Sequence, residues 1–401
     1  MARRKPPARS KDAVATAPAT TTAADTTVDR GMRVRTDPRF GDLIRDSRII
    51  LCCGTGGVGK TTTAAAIALA AANGGKRAAV VTIDPAKRLA DALGLQGLTN
   101  HPVEVALPDA PGELWALMLD TKATFDDLVR RHAPSTEQAD RILTNSFYRN
   151  ISGALGGTQE YMATEKLYEL VNEPVDAGGD ALPPFDLIVV DTPPTRNALD
   201  FVSAPERLTR LLDNRVFRAL MAPARGGLRV MGAASQLVLR AVGRVIGGDV
   251  LSDAVAFFQS FEGMEAGFRE RAQEVLVLLR APSTSWLLVT TPRQEAVEEA
   301  VFFGQELVVH RLRVAGLIAN RMYPEFTPLP DLTPDSRRTT AHTPALARVH
   351  RGAVLAASHR EALRPLEAVL DGRPVAFIPL ADQDLSDLAA LQLIADVLIA
   401  S

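Results

Sequence analysis

The stretch Gly54–Thr61, which reads GTGGVGKT, constrains the fold of this chain more than any other. It fits the phosphate-binding loop pattern G-x-x-x-x-G-K-[ST] without a gap. In such a loop the glycines let successive backbone N–H groups point at a phosphate, the lysine reaches the β- and γ-phosphates, and the final hydroxyl can bind Mg²⁺. The motif therefore predicts a site for a nucleoside triphosphate. The residues expected at the nucleotide are Gly54, Thr55, Gly56, Gly57, Val58, Gly59, Lys60, Thr61 and Thr62.

The segments on either side of this loop are those that the motif requires. Residues 48–53 (RIILCC) form a short apolar run that is typical of a buried parallel strand. Residues 62–73 are rich in alanine and contain neither proline nor glycine, which predicts a helix that ends at Gly74 and Gly75. Because a predicted strand precedes this loop and a predicted helix follows it, the sequence favours a phosphate-binding loop over a glycine-rich loop that matches the pattern by chance.

Two acidic residues follow apolar runs and are candidates for catalysis together with Lys60. Asp191 ends the run 185–190 (FDLIVV), as in a Walker B element, and its carboxylate would bind Mg²⁺ through water, beside Thr61. Asp84 follows residues 77–83, a second predicted strand, and would lie at the ligand crevice, where it could orient the attacking water or a water bound to Mg²⁺. Because a proline follows it, Asp84 also fits a helix N-cap, and the two roles are compatible.

Four more apolar runs predict the remaining strands, at residues 113–119, 285–290, 313–319 and 374–378. Asn320 and Pro379 lie just beyond the last two of these runs. Since ligands of open parallel sheets bind at the carboxyl ends of the strands, both residues are expected at the crevice edge, where a base could bind.

Composition and charge exclude several classes of protein. The 401 residues carry a net charge of −2, so no global basic field indicates nucleic-acid binding. The sequence contains no secretory signal and no run of 18 or more apolar residues, which predicts a cytoplasmic protein, either free or peripheral to a membrane. The two cysteines, Cys52 and Cys53, are adjacent on a predicted strand and should face opposite sides, which suits neither a disulfide nor a metal pair.

Composition also divides the chain along its length. Residues 1–45 contain ten basic and five acidic residues and almost no aromatic residue, so we expect a disordered tail. The remaining residues, 46–401, would form the nucleotide-binding domain, with helical insertions at about 120–180 and 204–280. Residues 324–344 are rich in proline and threonine and are expected to form a mobile loop.

One segment of the second insertion, residues 228–247, has an amphipathic pattern. On a helical wheel Arg229, Arg240 and Arg244 share a narrow arc with Gln236, while apolar residues fill about 200° of the remainder. Such a helix could line a groove for an apolar client, or lie on a membrane surface. It could equally form the core of a subdomain with a solvated arginine stripe, which is the reading that the sequence favours slightly.

Together these segments resemble the ArsA family, which comprises the arsenite-pump ATPases and the targeting ATPases for tail-anchored membrane proteins. The resemblance rests on GTGGVGKTT at 54–62, TIDPAKRLADAL at 82–93, DLIVVDTPPTRNALDF at 186–201, Asn320 and IPLADQDL at 378–385. It implies an α/β fold, with a mostly parallel sheet flanked by helices, of the P-loop NTPase class with a deviant Walker A loop and a helical insertion subdomain. It also implies ATP and Mg²⁺ as cofactors.

The resemblance further implies an ATPase whose hydrolysis opens and closes a dimer, coupled to a membrane-transport or membrane-protein-targeting partner. By the same resemblance, Asp84 would position the hydrolytic water, and Asn320 and Pro379 would contact adenine. The region 204–280 would match the subdomain that lines an apolar groove for a hydrophobic client. Positioning ATPases of the ParA and MinD kind share the loop and an Asp-x-Pro-Pro turn, but they usually lack the long insertions, so they are the alternative.

The chain departs from the family in its cysteines. The arsenite pumps bind trivalent arsenic or antimony through thiolates, which are soft ligands for soft metalloids. This chain has only Cys52 and Cys53, both in the strand before the loop, and it lacks the CxxC zinc pair of the eukaryotic targeting dimers. A thiolate site for a metalloid is therefore not expected.

The second departure lies inside the loop. The family normally has a signature lysine immediately before the paired glycines, which reaches the phosphates of the partner subunit, and this chain has Thr55 there. A cation supplied by a partner can accelerate phosphoryl transfer about 10³–10⁵-fold. Lys87, Arg88 or Arg196 could replace it in a homodimer. Alternatively, the chain forms a heterodimer with a sister ATPase that keeps the lysine, or is a nucleotide-binding regulatory subunit with weak turnover.

Overall fold

The computed structural model describes residues 32–33, 36–83, 88–146, 148, 158–177, 179, 181–193, 195–214, 248–326, 339–381 and 387–399. The strands in these ranges are β1 (Met32–Arg33), β2 (Ile49–Cys53), β3 (Arg77–Thr82), β4 (Val103–Val105), β5 (Glu113–Met118), β6 (Val175–Asp176), β7 (Ala181–Leu182), β8 (Leu187–Asp191), β9 (Thr284–Thr290), β10 (Val314–Met322), β11 (Glu325–Phe326) and β12 (Val375–Pro379). The helices are α1 (Arg39–Asp46), α2 (Lys60–Asn73), α3 (Arg88–Ala92), α4 (Thr121–His132), α5 (Thr136–Thr144), α6 (Thr158–Asn172), α7 (Thr195–Asp213), α8 (Gly248–Gln259), α9 (Glu265–Arg280), α10 (Gln294–Val309), α11 (Thr339–Leu363), α12 (Glu367–Leu370) and α13 (Leu388–Ile399).

Eight of the strands form one sheet in the order β12-β10-β9-β2-β8-β3-β5-β4. Every neighbouring pair is parallel except β4 and β5, which are antiparallel at one edge. The predicted class, a mostly parallel sheet flanked by helices, is therefore confirmed. The strand β4 was not predicted, because three residues carry too little periodicity to be recognised.

Each face of the sheet is covered by its own set of helices. In β2, Ile50 and Cys52 face a core built with α1, α2 and α13, whereas Ile49, Leu51 and Cys53 face a core built with α6, α7, α9 and α10. This alternation follows from the period of two along a strand. Helix α2 is buried on almost all sides, and its alanines let it pack closely against the sheet.

A third hydrophobic core holds the helices of the inserted regions together. Its buried residues come from α4, α5, α6, α7, α8 and α9, and stacked and tilted aromatic rings form part of it. These rings belong to Phe125, Tyr148, Phe257, Phe261 and Phe268. The first predicted insertion range holds α4, α5 and α6 together with the strand β6, and the second holds the end of α7 with α8 and α9, while the amphipathic segment 228–247 lies outside the described residues.

Two predictions of irregular structure are wrong in part. Within residues 1–45, α1 is a helix whose Phe40 and Ile44 are buried against the sheet, because two apolar residues one turn apart suffice to anchor a short helix that the average composition conceals. Within residues 324–344, the strand β11 pairs with β1, and α11 already begins at Thr339. Extending an existing helix adds one hydrogen bond for each residue that is fixed, so α11 can continue into a segment without periodicity.

The strands β6 and β7 pair with each other as a separate two-stranded antiparallel sheet. In the part of the chain that the structure describes, none of the helices is both long and apolar enough to cross a bilayer.

Candidate functional site

The phosphate-binding loop connects β2 to α2 at the carboxyl edge of the sheet. Gly57 and Gly59 have φ angles of 77° and 96°, which glycine adopts at little cost. A Cβ atom at Gly54 would lie 2.1 Å from the carbonyl oxygen of Val289, and one at Gly59 would lie 2.2 Å from Nδ2 of Asn320. Beside Gly56 and Gly57 there is open space. The glycines thus combine close packing on the sheet side with an open outer side.

Lys60 is the first residue of α2, and its ammonium group lies over the loop. Its Nζ donates hydrogen bonds to the carbonyl oxygens of Gly54 and Thr55, each at 3.0 Å. The side chain is buried, while Thr61 and Thr62, in the same first turn of the helix, are half-buried. The structure therefore places the cation of the motif at the loop, as the sequence predicts.

Thr61 and Asp191 meet at the end of β8. The Thr61 hydroxyl donates to Oδ2 of Asp191 at 2.6 Å, and the hydroxyl of Thr82 donates to the same oxygen at 3.3 Å. The cause is the parallel register, in which Asp191 is paired with Cys52 on one side and with Thr82 on the other. Thr82 was not identified from the sequence as a site residue. The signal that could have identified it is a polar residue near the carboxyl end of the second predicted strand.

Thr192 fixes the chain immediately after Asp191. Its buried hydroxyl donates to the carbonyl oxygen of Cys52 at 2.8 Å, which ties the end of β8 to β2. The helix α7 then begins at Thr195. This contact holds the backbone at Thr192, directly after the Asp191 carboxylate, and no pattern in the sequence singled out this residue.

Asn320 and Pro379 lie on neighbouring strands, since β10 pairs with β12 and Met322 is opposite Pro379. The buried amide of Asn320 donates from Nδ2 to the carbonyl oxygen of Val58 at 2.8 Å, and its Oδ1 accepts from the backbone N–H of Arg321 at 2.8 Å. Asn320 thus supports the loop backbone directly. Its predicted contact with adenine, and that of Pro379, stay predictions.

Several predicted site residues lie outside the described residues. These are Asp84 and Lys87, together with the side chain of Arg196. Arg88 is the first residue of α3 and is exposed. Thr55, at the position of the family's signature lysine, is half-buried within the loop.

Both cysteines are fully buried, on opposite faces of β2 as predicted. Burial raises the pKa of the Cys52 thiol well above its ordinary value, and it raises the pKa of the Cys53 thiol to about 12. Both thiols are therefore protonated at neutral pH. A protonated, inaccessible thiol is a poor ligand for a metalloid.

The residues at this edge fit a nucleoside triphosphate with Mg²⁺. The open side of the loop, at Gly56 and Gly57, is where a phosphate can approach backbone N–H groups without meeting a side chain. Thr61 and Asp191 bring a hydroxyl and a carboxylate into contact, and oxygen ligands of this kind are those that Mg²⁺ prefers. The donor set therefore matches the cofactors that the sequence predicts.

Comparison with known proteins agrees with this site. Residues 47–330 match the model of the ArsA_ATPase family, which is described as anion-transporting ATPase. The chain belongs to this family. It is 25% identical over 293 residues to a protein of Dictyostelium discoideum named ATPase ASNA1 homolog, an alignment that covers 72% of this chain and 77% of that protein.

Two fungal relatives are similar over a shorter region. The chain is 26% identical over 190 residues to ATPase GET3 of Kluyveromyces lactis, which covers 45% of the chain and 52% of the relative. It is 29% identical over 163 residues to ATPase GET3 of Malassezia globosa, which covers 41% and 44% respectively. The chain therefore spans about half the length of these two fungal proteins.

Proposed function

We propose that this chain binds ATP with Mg²⁺ and hydrolyses it, and that its nucleotide state opens and closes a dimer. The observation that carries the proposal is the 2.6 Å contact between Thr61 and Asp191, made at the end of a phosphate-binding loop with open glycines. It brings together the two oxygen groups that would hold Mg²⁺ at the phosphates. Membership of an ATPase family supports the same reading.

Each residue has a distinct role in this mechanism. When bound, Mg²⁺ would supply positive charge that offsets the negative charge developing on the phosphate oxygens. The backbone N–H groups of the loop bind the phosphates, and Lys60 adds a positive charge beside them. Thr61 and Asp191 would hold the metal, and the hydrogen bond from Thr82 orients the carboxylate of Asp191. Asp84 would orient the attacking water.

We further propose that hydrolysis is coupled to a partner at a membrane, either a transporter or a membrane protein that is being targeted, so that the chain works in the cytoplasm or at the membrane surface. The buried, protonated thiols argue against a metalloid as the cargo. An apolar client is supported by α7 and α9, which pack together and expose Leu211 and Val277, the latter with 71% of its surface accessible.

A second candidate is favoured by Thr55, namely a subunit with weak turnover that becomes active beside a sister ATPase. A loop without the signature lysine offers no cation at position 55 to a partner's phosphates, and Arg88, one of the residues that could replace it, is exposed at the start of α3. In this reading the sister chain supplies the lysine in a heterodimer.

The deciding experiment measures ATP turnover by the purified chain, by its Thr55→Lys variant and by Lys60→Ala. Turnover that Lys60→Ala abolishes and Thr55→Lys leaves unchanged supports an active homodimer with another cation in place. Turnover that rises about 10³-fold in Thr55→Lys supports the sister-subunit reading. Turnover that persists in Lys60→Ala would refute the assignment of this loop as the catalytic site.

A further inference from the structure

A second pocket lies at the opposite edge of the sheet from the phosphate-binding loop. The turns that lead from α9 into β9, from α10 into β10 and from α12 into β12 line, together with α1, a cavity of about 740 Å³ that is open to solvent on one side. This volume is within the range of small-molecule sites. The five-residue strand β2 spans about 16 Å between the two edges. A ligand in this cavity would therefore be separate from the nucleotide.

The lining of this cavity is strongly basic. Among the described residues it contains five arginines and one acidic residue, which are Arg39, Arg280, Arg311, Arg313, Arg373 and Asp371. Arg39 and Arg280 form ion pairs with neighbouring carboxylates outside the lining, at 2.6 and 2.9 Å. Among the described residues, the other three guanidinium groups form neither an ion pair nor a hydrogen bond. Three cations against one carboxylate leave an excess of positive charge for a ligand.

Arginines near helix ends often serve only to offset the helix dipole, an effect that falls off within the last turn. Here Arg313 and Arg373 lie four and three residues beyond the ends of their helices. The terminal carbonyl groups are also satisfied by the backbone, since the N–H of Arg311 donates to Val308 and that of Arg373 donates to Leu370. Capping of the helices thus does not require these guanidinium groups.

The backbone conformation at two of the lining residues also indicates that their charged side chains serve the cavity. Arg311 and Asp371 follow the ends of α10 and α12 with φ angles of 61° and 46°, a left-handed conformation in which glycine is the usual residue. A side chain at such a position carries a conformational cost. In both places the chain has a charged side chain that lines the cavity.

We propose that this cavity binds a phosphate-bearing anion. Guanidinium groups match the geometry of phosphate oxygens and bind them through paired charge-assisted hydrogen bonds. Three arginines in one lining call for more than one negative charge, and its apolar residues, which include Leu43 and Pro374, can contact an organic part of the ligand. The anion is either a free phosphorylated compound or the headgroup of an anionic lipid. The proposal does not depend on ATP hydrolysis.

The test uses the full chain with Lys60→Ala, which weakens phosphate binding at the other edge of the sheet. The probes are inorganic tripolyphosphate, followed by calorimetry, and phosphatidylcholine vesicles with or without phosphatidylglycerol, followed by co-sedimentation. Adding Arg311→Ala and Arg373→Ala should weaken binding of the responsive probe about tenfold or more. Arg364→Ala is the matched control, because Arg364 is an exposed arginine paired with Glu361 outside the cavity.

A variant with the opposite effect keeps the test independent of folding. Asp371→Asn removes the one acid among the described residues of the lining and keeps a side chain that tolerates the left-handed conformation, so it should strengthen binding several-fold. A response to tripolyphosphate identifies a free phosphate compound, and a response only to phosphatidylglycerol identifies a lipid headgroup. The proposal is overturned if neither probe binds, or if the arginine variants and the Arg364→Ala control bind equally well.

Discussion

The stability of this protein should depend on pH through one buried carboxyl group, that of Glu165 in α6. Its side chain is 3% exposed, and within the described residues neither carboxyl oxygen accepts a hydrogen bond. The Nε atom of Arg271 lies 3.1 Å from Oε1, but not in hydrogen-bonding alignment, and Arg131 is 3.7 Å away. Glu173 takes the closer contacts of both arginines, at 2.6 and 2.7 Å.

Burial raises the pKa of Glu165 to about 7 from an ordinary value of 4.5, although Arg271 and Arg131 act in the opposite direction. Because the pKa is higher in the folded chain, the stabilisation is complete below pH 4.5 and is lost as the pH rises through about 7. The difference between the two pKa values corresponds to about 3 kcal/mol. Glu165→Gln has no such ionisation and should lose this dependence.

The assay is urea unfolding followed by circular dichroism at about pH 5 and about pH 8.5, on either side of the predicted change. The free energy of unfolding of the wild type, relative to Glu165→Gln, should fall by about 3 kcal/mol between these values. His132, whose pKa is lowered by burial, is present in both proteins, so its titration cancels in the comparison.

Glu274→Gln is the matched control, since Glu274 also faces Arg271, at 3.4 Å, but is 44% exposed. The free energy of unfolding of the Glu274→Gln variant should change between the two pH values by the same amount as that of the wild type. A wild-type advantage over Glu165→Gln that is the same at both pH values would refute the reasoning, because the arginines would then keep Glu165 ionised throughout.

Three further predictions concern the loop and the strands beside it. Gly54→Ala should lower the melting temperature and abolish ATP binding, because its Cβ would lie 2.1 Å from a carbonyl oxygen of β9. Gly56→Ala should leave the fold intact, because no atom lies within 4 Å of the Cβ that it would add. Cys52 and Cys53 should react with a thiol reagent only after unfolding, since both are buried and protonated; rapid labelling of the folded chain would contradict this. Asn320→Ala leaves the buried carbonyl group of Val58 without its hydrogen bond and should raise the Kd of both ATP and GTP about tenfold in a fluorescence titration. A larger increase in Kd for ATP than for GTP would show that Asn320 also contacts the adenine base.

The central strands could be predicted from the sequence because burial on both faces leaves a continuous apolar run. Residues 48–53 and 185–191 were such runs, and the observed β2 and β8 begin within two residues of them. The loop could be predicted as well, since its glycines, lysine and threonine form one contiguous pattern in the sequence. Asp191 followed from the end of its strand.

The contacts between strands could not be predicted, because strand order is a property of the whole sheet. Thr82 donates to Asp191 only because β3 and β8 are neighbours, which no local pattern indicates. The role of Asn320 in supporting the loop depends in the same way on β10, which is far away in the sequence. The anchoring of α1 was missed for a related reason, since Phe40 and Ile44 are apolar residues in a segment of polar average composition.

The distribution of charge over the folded chain is the clearest property that could not be predicted from the sequence. A value of −2 excludes a global basic field, yet it is a sum that contains no information on where the charges lie. The fold collects Arg311, Arg313 and Arg373 at one edge of the sheet, because the neighbouring parallel strands β10 and β12 each begin after a helix at that edge. It places the carboxylate of Asp191 at the other edge, where the strands end. A nearly neutral chain thus becomes a molecule with an anion-attracting pocket at one edge and a carboxylate that can hold a metal at the other, and this separation arises from topology alone.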